Sequence, residues 1–403
     1  MISIPTRSIS HSIAVVNEGM SLTDRVKNEA HRLGFQLLGV TTPEPPPHSA
    51  VYEEWLQTER HGEMAYLASE RARQGRANPL WILPECRSIL VLGIRYPAPT
   101  LIAAPTSQGI YGRISSYAWG GDYHEGIVER LKVLAAFIEA DIGRTFPNRW
   151  YTDTGPVMER DLAQRAGLGW IGKNTCLINP YLGSYFFLAE ILLGIKLDSD
   201  MPFAADRCGT CTRCIDACPT ECIRPDRTLD ASRCISYLTI ELKGAIPMEL
   251  RSQAGEWVFG CDVCQQVCPW NQHIKAQEGD PVFAPRNKVP YPNLLTELQL
   301  SPQAFNRKFK GSPVKRAKRR GYLRNVAVAA GNLAVVQGSA VAEAAVEALS
   351  KVLHKDPEAL VRVHAAWALG EIRNEGARRA LVDARRLEVD KHVLSEIQTA
   401  LAD

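Results

Sequence analysis

At 403 residues, with 45% hydrophobic residues and a formal net charge of +3, the chain has room for roughly two to four domains and the apolar content of an ordinary globular protein. Its eleven cysteines, most of them tightly spaced, argue against a disulfide scaffold and for a reducing compartment. No apolar stretch reaches the length of a membrane span; the richest, Tyr185–Ile195, carries Glu190 and is too short. Residues 1–20 lack the apolar core of a signal peptide. The expectation is a soluble, cytoplasmic protein with a tail over residues 1–20.

Ser21–Gly39 reads as a capped helix ended by Gly34 and followed by a strand at Phe35–Val40. The connector Pro43–Pro47 is proline-rich, and Tyr52–Leu67 is predicted helical. Ile89–Ile94 is a continuous apolar run, the mark of a central strand. Asp122–Ile142 is predicted as a helix that turns Leu131, Leu134, Ala135 and Ile138 inward. Helices and strands alternate, so residues 21–200 are expected to form an α/β or α+β domain. Asp153 falls at a strand-to-helix junction, with Pro156 placed to open the helix; on these residues alone, a helix-capping role is the simpler reading. Gly167–Asn174 nearly spells a phosphate loop. It ends in Asn174 rather than a hydroxyl residue, which argues against a nucleoside triphosphatase. Its glycines would let backbone approach a large flat ligand, with Lys173 and Asn174 offering polar contacts.

Cys208, Cys211, Cys214 and Cys218 follow the C-x₂-C-x₂-C-x₃-C-P pattern of a ferredoxin-type [4Fe–4S] site. Cys261, Cys264 and Cys268 repeat it with the first cysteine missing, and Cys234 is the replacement. In such motifs the fourth cysteine of each run serves the other cluster. One cluster is thus assigned Cys208, Cys211, Cys214 and Cys268, and the other Cys218, Cys234, Cys261 and Cys264. Cys86, Cys176 and Cys222 are left as free thiols. Structural zinc fits this run poorly, because zinc sites are commonly built from paired C-x₂₋₄-C units.

Pro281–Pro292 reads as a linker. Nine basic residues and no acidic one follow between Arg307 and Arg324: Arg307, Lys308, Lys310, Lys315, Arg316, Lys318, Arg319, Arg320 and Arg324. A run without compensating acids points to a polyanion partner. Residues 320–403 are alanine-rich and helical in pattern; Asn325–Leu333 and His364–Ile372 are alike at an offset of 39 residues, near the length of a HEAT or armadillo unit.

Taken together, Thr152-Asp153-Thr-Gly-Pro-Val-Met-Glu-Arg160, Gly167–Asn174, Cys234-Ile-Ser-Tyr237-Leu-Thr-Ile-Glu241 and Gln266-Val-Cys268-Pro-Trp270-Asn271 closely resemble the epoxyqueuosine reductase family. The resemblance covers nearly the whole chain after residue 20. It implies an α+β protein with a nitroreductase-like corrinoid-binding domain over 21–200 and a ferredoxin-like module with two [4Fe–4S] clusters over 201–280. A linker with the basic run over 281–319 and a HEAT-like α-solenoid over 320–403 would follow. It also implies cobalamin, a tRNA anticodon stem-loop carrying epoxyqueuosine as substrate, an external electron donor, no membrane and a monomer. The implied reaction reduces the epoxide to queuosine with cob(I)alamin, and the family's proton donor falls on Asp153, which overrides the capping reading. Lys173, Asn174 and Arg76 become candidates to hold the corrinoid, and Ser236 and Tyr237 to line the path from iron to cobalt. Some members carry a cysteine near cobalt in the stretch matching Ser115–Asp122; this chain has none there, so no thiolate from that stretch is expected on cobalt. A small-molecule dehalogenase would leave the basic run and repeats without a use, and an electron-transfer scaffold would leave the N-terminal domain without one.

Overall fold

A computed structural model describes residues 19–105, 109–272 and 279–402, so all but the last residues of the expected tail lie outside the described residues. Strands β1 (Leu37–Thr41), β2 (Ser88–Arg95), β4 (Asn148–Tyr151) and β7 (Phe186–Leu193) form one antiparallel sheet in the order β1-β2-β7-β4. The protein is therefore α+β, as expected. The short strands β3 (Arg113–Ile114) and β8 (Trp257–Phe259) pair in parallel, and β5 (Trp170–Ile171) and β6 (Leu177–Ile178) form an antiparallel hairpin.

The Leu22–Arg32 helix starts where Ser21 accepts the Asp24 amide, and the Tyr123–Ile142 helix where Asp122 accepts the His124 amide. Both cover one face of the sheet, where Ile127, Leu131 and Leu134 meet Leu92, Phe187 and Ile191. Strand side chains alternate between faces. The opposite face offers Ile89, Val91 and Leu192 to Val157, Leu162 and Ala163 at the Glu159–Arg165 helix. Glu190 shares that second face by the same alternation.

Two expected elements differ. The helix predicted over Tyr52–Leu67 runs only from Ser49 to Gln57. Beyond it the chain turns so that the Trp55 indole donates to the Leu229 carbonyl and the Glu63 amide donates to the Tyr237 hydroxyl, and these tertiary bonds outweigh helix propensity. The Pro281–Pro292 stretch is no loose linker: Phe283 and Val289 are buried, as are Phe305, Phe309 and Val314 further on. One apolar core runs from Ile110 and Trp119 through Leu238 and Val258 to the C-terminal helices.

Those helices span Lys318–Val336, Ser339–Lys355, Ala359–Ile372, Glu375–Leu387 and Lys391–Ala402. Gly331 and Gly370, one sequence repeat apart, do the same work. A Cβ on Gly331 would lie 2.8 Å from the Ala368 methyl, and one on Gly370 2.7 Å from the Ala400 methyl. The repeat in sequence is a repeat in close helix packing.

Arg324 joins these helices to the cysteine-rich segment. It is buried, and its guanidinium donates to the carbonyls of Leu238, Leu242 and Gly244 and to the Asn325 amide oxygen. Asn325 in turn donates to Thr239 and Val258. Burial pulls the Arg324 pKa down to about 10, so it remains charged at neutral pH. Arg324→Ala leaves the Leu238 carbonyl buried without its donor and removes the donors of two half-buried carbonyls, at a cost on the order of 3 kcal/mol. Thermal or urea unfolding should show this loss, with the C-terminal helices protected less from hydrogen exchange than in wild type.

Candidate active site

A cavity of about 500 Å³ opens over the second face of the sheet. Asp153 enters it from the loop after β4. The Glu159–Arg165 helix begins three residues later than Pro156 would have it, and its N-terminus carries no side-chain cap, so Asp153 is not a helix cap. The relation is reversed: the Asp153 amide donates to Glu159 Oε1 at 2.7 Å. Asp153 sits at φ 55°, in the left-handed region, and its carboxylate is 65% exposed. The Tyr123 hydroxyl donates to Asp153 Oδ2 at 2.5 Å, and His124 Nε2 lies 3.8 Å from the same oxygen. Burial, followed by the charge of Asp153, drives the Tyr123 phenol far above its usual range, so it stays a donor.

Arg76 reaches the same cavity, its guanidinium 5.4 Å from the Tyr52 ring centre and 3.5 Å from the Gly155 carbonyl. The approach needs glycine: a Cβ on Gly75 would be 2.8 Å from the Pro156 carbonyl, and one on Gly155 2.3 Å from the Tyr151 ring. Tyr52, Trp55, Val157 and Trp170 give the walls an apolar surface, while Arg76, Arg160 and Arg227 supply cations.

Lys173 and Asn174 are not brought to this cavity. They line a second one, of about 370 Å³, together with Cys208, Cys211, Cys214 and Cys268. Lys173 donates to the carbonyls of Gly209 and Cys211, and Asn174 to that of Cys264. The glycines of the loop serve the β5–β6 hairpin, since a Cβ on Gly169 would lie 2.1 Å from the Ile178 carbonyl. Trp170 links the two cavities. It lines the first, and its indole N–H points at Cys208 Sγ, 3.4 Å away, on the second.

Four cysteines drawn from both sequence runs thus enclose one space, as the crossing rule requires. The remaining four are gathered too, with Cys261 and Cys264 feeling the charge of Cys234 and Cys261 also that of Cys218. Cys234 stands at the start of the Ile235–Ile240 helix, where the amides of Ser236 and Tyr237 point at its sulfur. Ser236 and Tyr237 therefore lie against a cluster thiol, and the Tyr237 hydroxyl is occupied by Glu63. Cys222, set aside on spacing, lies 3.4 Å from Cys218 Sγ, and Cys176 beside Cys264. Both donor sets suit iron–sulfur clusters: soft thiolates supplied with backbone N–H groups.

The basic run divides. Lys308 pairs with Glu297, Arg316 with Glu241 and Arg319 with Asp356, while Arg324 is buried. Arg307, Lys310, Lys315, Lys318 and Arg320 are exposed. Arg316 lies 5.9 Å from the ring centre of Tyr66, which is 54% exposed, and both feel the charge of Asp153. Tyr66 neighbours Leu67, which lines the Asp153 cavity. Reading the sequence gave no role to Tyr66, Tyr123, Glu159 or Trp170, although Glu159 and Trp170 lie inside the motifs Thr152–Arg160 and Gly167–Asn174.

A profile described as a 4Fe-4S double cluster binding domain matches residues 207–271, and one described as "Epoxyqueuosine reductase QueG, DUF1730" matches residues 76–154. The epoxyqueuosine reductase of Pseudomonas aeruginosa is 40% identical over 350 residues, covering 86% of this chain and 94% of the relative. That of Escherichia coli is 37% identical over 352 residues, covering 87% and 89%. A crystal structure of epoxyqueuosine reductase with an epoxyqueuosine-modified tRNA stem loop superposes with a TM-score of 0.85 at 30% identity, covering 94% of this chain and 98% of that one. This chain belongs to the epoxyqueuosine reductase family.

Proposed function

We propose that this chain reduces the epoxide of epoxyqueuosine in tRNA to give queuosine, with Asp153 as the proton donor. The observation that carries the reading is that Trp170, in the wall of the Asp153 cavity, points its indole N–H at Cys208 Sγ, 3.4 Å away, in the wall of a four-cysteine cavity. An oxidoreductase that moves electrons from iron–sulfur clusters to a substrate needs that adjacency. Cobalamin is the group proposed for the Asp153 cavity. Its walls suit a broad ring edged with amides and a phosphate, because they pair aromatic surface with Arg76, Arg160 and Arg227. When bound and reduced through the two clusters, cobalamin supplies the electrons and the nucleophile that open the epoxide.

The residues of the chain supply the rest. Asp153, exposed in the cavity and tethered by Tyr123, delivers a proton to the departing oxygen. Cys208, Cys211, Cys214 and Cys268 hold one cluster, and Cys218, Cys234, Cys261 and Cys264 the other. Lys173 and Asn174 brace the cysteine loops. Residues 21–200 form the catalytic domain, nitroreductase-like in design, residues 201–280 the cluster module, and residues 320–403 a HEAT-like stack. Residues 281–319 lead the exposed lysines and arginines toward the cavity mouth, where Tyr66 offers an aromatic face for a nucleobase. The tRNA anticodon arm is the partner that suits this surface.

Three experiments test the reading. Asp153→Asn keeps the shape, and Asn tolerates a left-handed backbone. The variant should load iron and cobalamin normally, yet convert an epoxyqueuosine stem-loop on the order of 100-fold more slowly; near-normal turnover would remove Asp153 from the chemistry. Cys234→Ala should retain about four of about eight irons, and Cys222→Ser all of them, as measured by iron and sulfide analysis. Changing Lys315, Lys318 and Arg320 together to Gln should weaken stem-loop binding and lower the slope of log K against log salt by about 2 to 3. Arg316 and Arg319 are left in place because their carboxylate partners need them.

A further inference from the structure

Removing an epoxide oxygen to leave a carbon–carbon double bond consumes two electrons and two protons and releases one water. Asp153, as the proposed donor, delivers one of the protons. On the reading above, the cavity is roofed by a large ring and an RNA while the reaction proceeds, so the second proton needs a source already inside.

Two further carboxyl groups lie there. Glu159 is half-buried, lines the cavity beside Asp153 and accepts the Asp153 amide at 2.7 Å. Glu190 lies on β7, opposite Val91 and Tyr151, and is fully buried. Neither of its carboxyl oxygens has a hydrogen-bond partner among the described residues. Its face of the strand is shared with Leu188 and Leu192, under the apolar start of the Glu159–Arg165 helix. An ionised carboxylate without a donor or cation in such a place is untenable, so the group is held as the neutral acid.

The charged and titratable groups around the pair come from every neighbouring element. Glu190 faces Glu159 and Asp153. Glu159 faces Asp153, Arg160 and, from the Glu70–Ala77 helix, Arg76, with Tyr123 across the cavity. Burial first, then the negative charge of Asp153, pushes Glu159 up to about 8; the Asp153 amide and the two arginines pull the other way. Glu190 is driven up by burial and then by Glu159 and Asp153.

We infer that Glu159, backed by the neutral acid of Glu190, is the internal source of the second proton and recharges Asp153 after its first transfer. The proton passes from the Glu159 carboxyl to the Asp153 carboxylate, and from there to the oxygen, which leaves as water. The Glu159 carboxylate left behind keeps the Asp153 amide as donor, with Arg76 and Arg160 near, and no second negative charge beneath it because Glu190 keeps its proton. Both residues act through Asp153 and are positioning residues, not catalytic ones. Solvent refills Glu159 when the product departs.

The sign of the pH dependence follows. The store is full below the raised Glu159 pKa and empties as pH rises through it, so turnover should fall above about pH 8. The test combines two readouts on the full chain. Infrared titration of the cofactor-free protein should show a protonated carboxyl band that disappears as pH is raised through about 8 and is absent in Glu159→Gln, and a second band that persists and is absent in Glu190→Gln. Turnover of the reconstituted enzyme on an epoxyqueuosine stem-loop should fall at least 10-fold in Glu159→Gln, and its decline above pH 8 should vanish. Glu190→Gln, a neutral isostere, should keep turnover within about threefold. Absence of both infrared bands at neutral pH overturns the inference, as does a Glu159→Gln enzyme with wild-type turnover and pH profile. If Glu159→Gln fails to load cobalamin, the wild-type infrared titration alone decides. A wild-type enzyme that does not convert the stem-loop would instead count against the proposed reaction, which the infrared bands do not depend on.

Discussion

The carboxylate of Asp262, buried between Cys261 and Cys264, accepts the Ser115 hydroxyl and the Ser116 amide, the latter at 2.8 Å. This contact closes a seam that β3 and β8 begin. The Ser115 amide donates to the Phe259 carbonyl at 2.8 Å, and Gly260, at φ 68°, leaves no room for a side chain, since a Cβ there would lie 2.5 Å from the Ser115 Cβ. A second seam fixes the far end of the cysteine run, where Asn271 and Gln265 both bond to Ser184, just before β7. The cysteine-rich segment is thereby bonded to the earlier part of the chain at two points, after β3 and just before β7. The separation between thiols and the Asp153 cavity is set by buried polar contacts, which are expensive to break, and not by a hinge. A module that passed electrons across a hydrated gap would need none of them.

The same economy explains the basic run. Nine positive charges in eighteen residues would repel one another if all were free, and the fold consumes four of them internally. Arg319 and Asp356 are both largely buried, so removing either strands a charge. Arg324 bonds to backbone carbonyls and so serves as a structural pin. What remains exposed is a sparser row, oriented because its neighbours are anchored. Arg316 pairs with Glu241, seven residues after Cys234, and lies 5.9 Å from the Tyr66 ring centre.

What could be read from the sequence was what repeats at short range. The cysteine spacing, the Ser21 and Asp122 caps, the unbroken apolar strand at Ile89–Ile94 and the 39-residue helical repeat each need only local geometry, and each corresponds to an observed arrangement. The break of the Tyr52–Leu67 helix depends on Leu229 and Tyr237, more than 170 residues away, and nothing near Tyr52 announces it. Lys173 and Asn174 looked like ligand contacts because of their glycines, but those glycines fit a hairpin against Ile178 and the two side chains turn to the cysteine loops. Glu190 was visible as the one acid in an apolar stretch. Its meaning required the strand alternation and the helix packed on it.

Asp153 shows why sequence pattern and mechanism part company at this site. A residue at a strand end before a helix should cap it, and the left-handed backbone would be a liability for most side chains. Here Glu159 takes the cap's partner, the amide, and so holds the unfavourable backbone in place while freeing the Asp153 carboxylate for the cavity. Tyr123, kept protonated by burial, supplies a donor to one oxygen and leaves the other open.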